Sequence, residues 1–198
     1  MSEKQRDVIS IDLLHAQMDP FYCECRAYGR LIEANLNGKV AVRCHGHLNV
    51  PAEVEEELRR DFDVDNWQRP GDEYYTPVSE RKPFRAIVKD LVTEDVTYTP
   101  KIVKKMLKDL KRIRKLGIYT MDVRARNYKG GLLVDFSIAM TEPHYLFHIK
   151  PPHQVVSYKL DDLLSFDDMM EDEGVVTWER ALPNPKYCAK LRPREEKR

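Results

Sequence analysis

Apolar residues recur at helical spacing in two stretches of the chain, and each stretch carries local start and stop signals. The first stretch follows Asp19-Pro20, and its apolar residues are Phe21, Cys25, Tyr28, Leu31 and Ile32. It predicts a helix over 20–36 that ends at Asn37-Gly38. Asp19 is the expected N-cap and Pro20 the first helical residue.

The second stretch follows Thr99-Pro100 and gives the clearest helical pattern in the chain. Its apolar stripe consists of Val103, Met106, Leu107, Leu110, Ile113 and Leu116, and Gly117 is the expected stop. Eight basic residues cover the remaining surface: Lys101, Lys104, Lys105, Lys108, Lys111, Arg112, Arg114 and Lys115. Such a surface can bind phosphate or an acidic partner, although a solvated helix face is the commoner meaning.

Short β-rich runs predict the sheet elements. Strands are expected at 40–50, 84–92 and 118–119, together with a hairpin that turns at Gly130-Gly131 and returns along 132–134 to Asp135. A charged helix is expected after Pro51, a loop over 63–82 and a further helix over 159–172. Residues 1–19 show only weak periodicity, and the chain ends in a charged, Pro-containing tail.

Composition narrows the class of protein. Hydrophobic residues make up 42% of the 198 positions, and Lys+Arg and Asp+Glu both number 33. Because these charges balance, the net charge does not indicate nucleic acid or an anionic membrane as a partner. No apolar run approaches the roughly 20 residues of a membrane-spanning helix, and the N-terminus has no signal-peptide centre. The sequence therefore predicts an intracellular protein, cytoplasmic or nuclear, without a membrane partner.

The cysteines are expected to be thiols, including Cys188 near the end of the chain. Cys23-x-Cys25 and Cys44-His45-Gly46-His47 raise the question of zinc. On a helix the first two thiols turn away from each other, and on a strand the two imidazoles face the side opposite to Cys44. Neither pair makes a natural chelate, so residues in or near a core are the favoured interpretation.

Two aspartates and an asparagine stand out because of the elements around them. Asp122 and Asn127 form D-x-x-x-x-N directly after the long amphipathic helix, a glycine and a short strand. Asp135 ends the returning strand of the hairpin and is followed by Phe136. Each residue alone would be an ordinary turn, loop or strand-end residue. The order of helix, strand, loop, hairpin and Asp-Phe is that of a protein-kinase catalytic lobe.

Phosphoryl transfer explains these residue types. It needs a carboxylate beside the attacking hydroxyl group and oxygen ligands that hold magnesium against the phosphates. A loop would position the first carboxylate, and the asparagine five residues later would turn back towards the metal. The second carboxylate would arrive from the neighbouring strand.

On these residues the sequence resembles the protein-kinase superfamily over about residues 19–170. More narrowly, three stretches resemble a fungal kinase-like group of kinetochore Sim-complex subunits of the Fta type. They are DPFYCECRAYGRL, FRAIVKDLV and MDVRARNYKGGLLVDFSIAMTEPHYLF.

The resemblance implies a role for each matching position. Asp122 would be the catalytic-loop acid, and Arg124 would stand where kinases usually place lysine. Asn127 and Asp135 would be the magnesium ligands, and both would contact the bound nucleotide. Glu24 would match the glutamate that pairs with the third-strand lysine, and would support nucleotide binding.

Two further elements receive a role from the same resemblance. Asp162 would match the aspartate that opens the large buried helix of the C-lobe and braces the catalytic loop. Strand 84–92 would be the fifth strand and would lead into the hinge.

The sequence also departs from the kinase pattern. Thr120-Met121 replace the usual His-Arg, and Ser137 replaces the glycine after Asp135-Phe136. No Ala-Pro-Glu motif follows, and no G-x-G or Val-Ala-x-Lys precedes Glu24. Residues 40–43, Val-Ala-Val-Arg, imitate the lysine strand, but arginine does not replace lysine there and the element order favours a fourth strand.

The resemblance therefore implies an α+β, protein-kinase-like fold with a reduced N-lobe and an abbreviated helical C-lobe. Residues 1–18 would form an N-terminal segment, 19–172 the truncated kinase-like domain and 173–198 a charged tail. The incomplete small lobe would expose a sheet edge, which favours a protein partner or self-association.

We expect a degenerate, kinetochore-associated, kinase-like protein that serves as a nucleotide-binding or protein-interaction module. It would be a pseudokinase, with Mg²⁺ and ATP bound weakly. Two alternatives stay open. One is an active Mg-ATP-dependent phosphotransferase whose N-lobe strands are missing from this chain, and the other is a nucleotide-free interaction protein.

Overall fold

The computed structural model of the protein describes residues 11–63, 76–177 and 179–183. It divides into two compact units. One unit is continuous and runs from Cys44 to Asp90, and the other is built from the segments before and after it. The described elements mix helices with small sheets, which agrees with the predicted α+β composition. The kinase-like fold and the three predicted domain segments stay predictions.

We call the unit built from two segments the split unit. Its described part begins with two consecutive helices, α1 (Ile11–Met18) and α2 (Pro20–Glu33). Asp19 separates them and caps α2, since its carboxylate accepts hydrogen bonds from the backbone N–H groups of Phe21 and Tyr22. The predicted start is therefore confirmed. The predicted end at 36 is wrong, because Asn35 adopts a left-handed conformation with φ of 54° and stops the helix earlier.

The second predicted amphipathic helix is α4, which spans Pro100–Lys115. The helix that precedes it in the chain, α3 (Ala52–Phe62), belongs to the other unit. Thr99 caps it by accepting a hydrogen bond from the backbone N–H of Ile102. The predicted apolar stripe is buried from Val103 to Ile113. Gly117 has a φ of 76°, which a residue with a side chain rarely adopts, and it turns the chain into the next strand.

Two short strand pairs and one isolated bridge involve the segments after α4. Strand β3 (Ile118–Tyr119) pairs antiparallel with β6 (Met140–Thr141). Strands β4 (Tyr128–Lys129) and β5 (Leu132–Leu133) form the predicted hairpin, in which both turn glycines have positive φ. Residues 40–43 were predicted as part of a strand, but here they are irregular. Val40, Ala41 and Val42 are buried, and Ala41 forms isolated bridges to Asn37 and Leu133. Val42 donates its N–H to the Leu133 carbonyl instead of joining a regular sheet.

Two helices complete this unit, α5 (Tyr145–Ile149) and α6 (Pro152–Asp172). The helix predicted over 159–172 is confirmed, but it begins seven residues earlier. Its buried face carries Leu163, Phe166, Met169 and Met170. Most of the predicted C-terminal tail lies outside the described residues.

The continuous unit contains an antiparallel pair of strands, β1 (Cys44–Val50) and β2 (Phe84–Lys89), and the helix α3 between them. Both strands are shorter than predicted, because the paired register ends at Cys44 and Lys89. Arg81 pairs with the buried carboxylate of Glu55 on α3. Of the predicted loop over 63–82, residues 64–75 lie outside the described residues, and Val78–Glu80 form a short 3-10 turn.

Within the described ranges, none of the helices combines the length and apolar character needed to cross a membrane.

Candidate functional site

The loop after β3 holds Asp122 through the side chain of Asn127. A 3-10 turn over Ala125–Asn127 brings the asparagine back towards the start of the loop. Its Nδ2 group donates to the backbone carbonyl and to the Oδ2 carboxylate atom of Asp122, both at 3.0 Å. Asn127 is only 6% exposed, so this pair of hydrogen bonds fixes the conformation of the loop.

Two arginines of the same loop neutralise Asp122. The Nε atom of Arg124 lies 2.6 Å from Oδ1, and the guanidinium of Arg126 lies 3.6 Å from Oδ2. Oδ1 has no hydrogen-bond partner, so its contact with Arg124 is an ion pair without hydrogen-bond geometry. Both arginine side chains are exposed, whereas Asp122 is largely covered. The carboxylate therefore faces cations from its own loop.

Asp135 follows the hairpin and lies beside this loop in the hydrogen-bond network. The residue before it, Val134, donates its backbone N–H to the carbonyl of Asn127 at 2.9 Å. The Oδ1 atom of Asp135 accepts the backbone N–H of Ser137 at 2.7 Å. The hairpin thus places the second aspartate next to the loop that carries the first.

Glu24 reaches the same region from α2. Its Oε1 atom accepts the backbone N–H of Phe136 at 3.2 Å, and the side chain is only 6% exposed. One turn further along α2, the ring of Tyr28 packs edge-to-face against that of Phe136, with centroids 5.2 Å apart. Both contacts join α2 to the residue after Asp135.

Asp162 supports the start of the loop from α6. It is completely buried and forms an ion pair with Arg114 of α4. Burial raises the pKa of the Asp162 carboxyl to about 6, although Arg114 and the backbone N–H groups of Thr120 and Leu163 oppose this rise. Asp162 lies inside this helix rather than at its start, so the predicted position is wrong in that respect, and the bracing role stays a prediction.

Of the predicted site residues, Asp122, Arg124 and Asn127 contact one another directly. Asp135 and Glu24 are connected to them through the backbone of the hairpin and of Phe136, within the split unit. Two contributors were missed. The sequence analysis gives Arg126 no role and assigns Arg114 to the basic surface of the helix. A spacing of four residues from Asp122 was the only available signal for Arg126. Nothing in the local sequence distinguishes Arg114 from its neighbouring lysines.

The fit of these residues to Mg²⁺ is partial. The nitrogen of the Asn127 amide is used by Asp122, which leaves its oxygen as a ligand, and Asp135 offers a carboxylate. Mg²⁺ is often held by only one or two protein groups, with water and phosphate oxygens completing its octahedral shell. Over the described ranges, no three or more His, Cys, Asp or Glu side chains group in a way that suits a metal ion. The described cysteines, Cys23, Cys25 and Cys44, are thiols that form no disulfide bond.

An open groove of about 510 Å³ lies beside the loop, between its arginines and α6. The loop contributes Val123 to Arg126, and α6 and the residue after it contribute Asp168, Met169, Asp172 and Glu173. One wall is therefore basic and the other is acidic. A groove of this composition suits the side chains of a protein segment better than a compact apolar ligand.

Comparison with known proteins gives one match. The family model of the kinetochore Sim4 complex subunit FTA2 matches residues 1–140, which is more than half of the chain and includes Glu24, Asp122, Asn127 and Asp135. No curated protein and no solved structure matches the chain.

Proposed function

We propose that this chain, which belongs to the kinetochore Sim4 complex subunit FTA2 family, acts in its complex as a protein-binding subunit on a degenerate kinase-like core. Membership of the family makes it a subunit of a kinetochore complex, which implies protein partners and a nuclear location. The finer proposal concerns the polar network, which we assign to holding the fold rather than to catalysis.

The state of Asp122 carries this proposal. A catalytic-loop carboxylate must be available to the hydroxyl group whose proton it accepts. Here one oxygen accepts from Asn127 and the other faces Arg124 at 2.6 Å, with Arg126 nearby. These contacts compete with a substrate hydroxyl for the same carboxylate.

The order of the elements supports the kinase-like part of the proposal. Helix α2 supplies a buried glutamate to the Asp-Phe segment, and α6 supplies a buried aspartate near Thr120. The described residues before Glu24 support the degenerate part. Over the described residues before Glu24 the chain forms α1, where a glycine-rich loop and a lysine strand would be needed to cover the phosphates.

A second candidate function is weak binding of Mg-ATP. The free oxygen of Asn127 and the carboxylate of Asp135 favour it, because both would contact a magnesium ion on the nucleotide phosphates. Magnesium would supply charge neutralisation there. The chain's own residues would hold the cation from one side only.

A phosphorylation assay with purified protein and Mg-ATP tests the proposal. We expect turnover no greater than that of Asp122→Asn, because positioning and charge stabilisation are incomplete without the upper phosphate clamp. Robust transfer that Asp122→Asn abolishes would overturn the proposal and establish the active enzyme.

Thermal unfolding with and without Mg-ATP tests the second candidate. A ligand at a hundred times its dissociation constant adds about 2.7 kcal/mol of stability. We expect a much smaller, magnesium-dependent shift that Asp135→Ala removes. Ser137→Ala is the matched control, since it keeps the backbone N–H that bonds Asp135.

A further inference from the structure

Helix α4 presents a continuous stripe of lysines to solvent. Its five members are Lys101, Lys104, Lys108, Lys111 and Lys115, and all five are exposed. They are spaced three or four residues apart, so they lie on one face of the helix. We call them the lysine stripe. At a rise of 1.5 Å per residue, the stripe is about 21 Å long.

Acidic residues leave most of this stripe uncovered. The only carboxylate in α4 is Asp109, which is buried and paired with Lys105 and Arg112 outside the stripe. Lys104 lies 3.7 Å from Glu179. In the part of the chain that the structure describes, no carboxylate lies within salt-bridge distance of the other four members, Lys101, Lys108, Lys111 and Lys115.

The stripe is unfavourable for the isolated helix. Like charges three or four residues apart destabilise a helix by about 0.2–0.5 kcal/mol for each pair, and the stripe contains four successive pairs. The opposite face of α4 is fixed in the core, with Val103, Met106 and Leu110 at most 1% exposed. The repulsion therefore cannot be relieved by turning the helix. A row of charges held in place against its own repulsion is a feature expected at a functional surface.

We propose that the lysine stripe binds the phosphate backbone of duplex DNA without reading its sequence. Duplex DNA carries one phosphate charge per about 1.7 Å of its axis when both strands are counted, so a length of about 21 Å offers more phosphates than the stripe has lysines. Lysine is a compact point charge suited to phosphate, and the stripe contains none of the asparagine or glutamine side chains that read adenine through paired hydrogen bonds. The neutral net charge of the chain does not exclude this, because eight of its 33 basic residues lie on this one helix, which has a single carboxylate.

The composition of the face favours phosphate over an acidic protein segment. Protein interfaces depend on a few buried aromatic or aliphatic anchors. Among the described residues, none of the exposed large hydrophobic side chains lies on α4. A face with charge and no anchor fits a polyanion of high and uniform charge density, such as duplex DNA.

The salt dependence of binding to a labelled duplex of about two helical turns tests this inference on the full chain. With five phosphate contacts, affinity should fall roughly 500-fold between 50 and 200 mM salt. In Lys108→Ala/Lys111→Ala only three contacts remain, and the fall should be roughly 40-fold. This variant should unfold at the same temperature as the wild type or higher, because alanine favours helix and like-charge repulsion is removed.

The matched control is Lys39→Ala/Lys82→Ala, which removes the same charge from exposed lysines outside α4. It should keep the wild-type salt dependence. Equal salt dependence in the two double variants, or absence of binding at low salt, overturns the proposal. Displacement of the duplex by polyglutamate at equal charge concentration also overturns it and indicates an acidic protein as the partner. The assay is independent of ATP, so its outcome is separate from the proposed function.

Discussion

The surroundings of individual residues decide their chemistry in this protein. Glu24 and Asp122 are both carboxylates of the same network, but one accepts a buried backbone N–H and the other faces two exposed guanidinium groups. The first contact joins distant parts of the chain, and the second keeps a negative charge close to solvent. Residue type alone would have assigned both to phosphoryl transfer.

His144 gives the clearest pH effect at the scale of a residue. It is 1% exposed, its Nδ1 accepts the backbone N–H of Leu146, and burial lowers its pKa to about 4 from the usual 6.5. Between these two pH values, His144 is protonated in the unfolded chain but neutral in the folded protein. Stability should therefore fall by up to about 3 kcal/mol as the pH decreases from 6.5 to 4. Urea unfolding across this range measures the loss.

His144→Asn keeps a side-chain acceptor at the start of α5 and removes the titration. We expect its stability to depend less on pH over this range than that of the wild type. His148→Gln changes an exposed histidine of the same helix and should leave the wild-type slope in place. An unchanged slope in His144→Asn would show that other groups cause the acid sensitivity.

At the scale of elements, helix ends are fixed by single residues next to them. Asp19 and Thr99 cap α2 and α4 with side-chain oxygens, and a proline follows each cap. Asn35 and Gly117 adopt left-handed conformations two residues after the last residues of these helices. These local signals position Glu24 and the lysine stripe along their helices.

Replacing Asp19 tests the cap of α2. Asp19→Ala should destabilise the protein by about 1 kcal/mol, because the N–H groups of Phe21 and Tyr22 lose their acceptor. Asp19→Asn retains an acceptor, so its loss of stability should be only a few tenths of the loss in Asp19→Ala. Thermal unfolding of both variants under the same conditions distinguishes them. Equal losses would attribute the effect to the charge of Asp19 rather than to its hydrogen bonds.

Beyond single elements, the split unit depends on an ion pair between Arg114 of α4 and Asp162 of α6. The pair is 48 residues apart in sequence, and Asp162 also lies near the backbone of Thr120, at the start of the Asp122 loop. Helix α4, helix α6 and the loop therefore share one buried carboxylate.

Arg114→Met should cost about 3–5 kcal/mol, because it leaves a buried charge without its partner. The pKa of Asp162 is already raised in the wild type, so the loss should increase as the pH rises and the carboxyl ionises. Arg114→Met/Asp162→Asn also removes the carboxylate charge of residue 162. This double variant should be more stable than Arg114→Met at pH 8. Denaturant unfolding of both proteins, with hydrogen exchange of residues 120–127, measures the effect. A double variant less stable than Arg114→Met would contradict this account.

The sequence by itself determined the elements whose signals are local. Helices α2 and α4, the glycine hairpin, and the order of Asp122, Asn127 and Asp135 follow from spacing, capping and turn residues that lie close together in the chain. The resemblance to kinetochore Sim-complex subunits rested on the same stretches, and the family match confirms that membership.

Only the tertiary structure decided which distant residues meet. Val40 to Arg43 have the composition of a strand, but they form an irregular segment. Val40, Ala41 and Val42 are buried, and Ala41 bridges to the hairpin instead of extending β1. Arg114 has the spacing of a surface residue, yet it pairs with a buried aspartate. Glu24 reaches Phe136 across 112 residues. Periodicity shows which face of an element is buried, but the partner on the other side depends on how the whole chain packs.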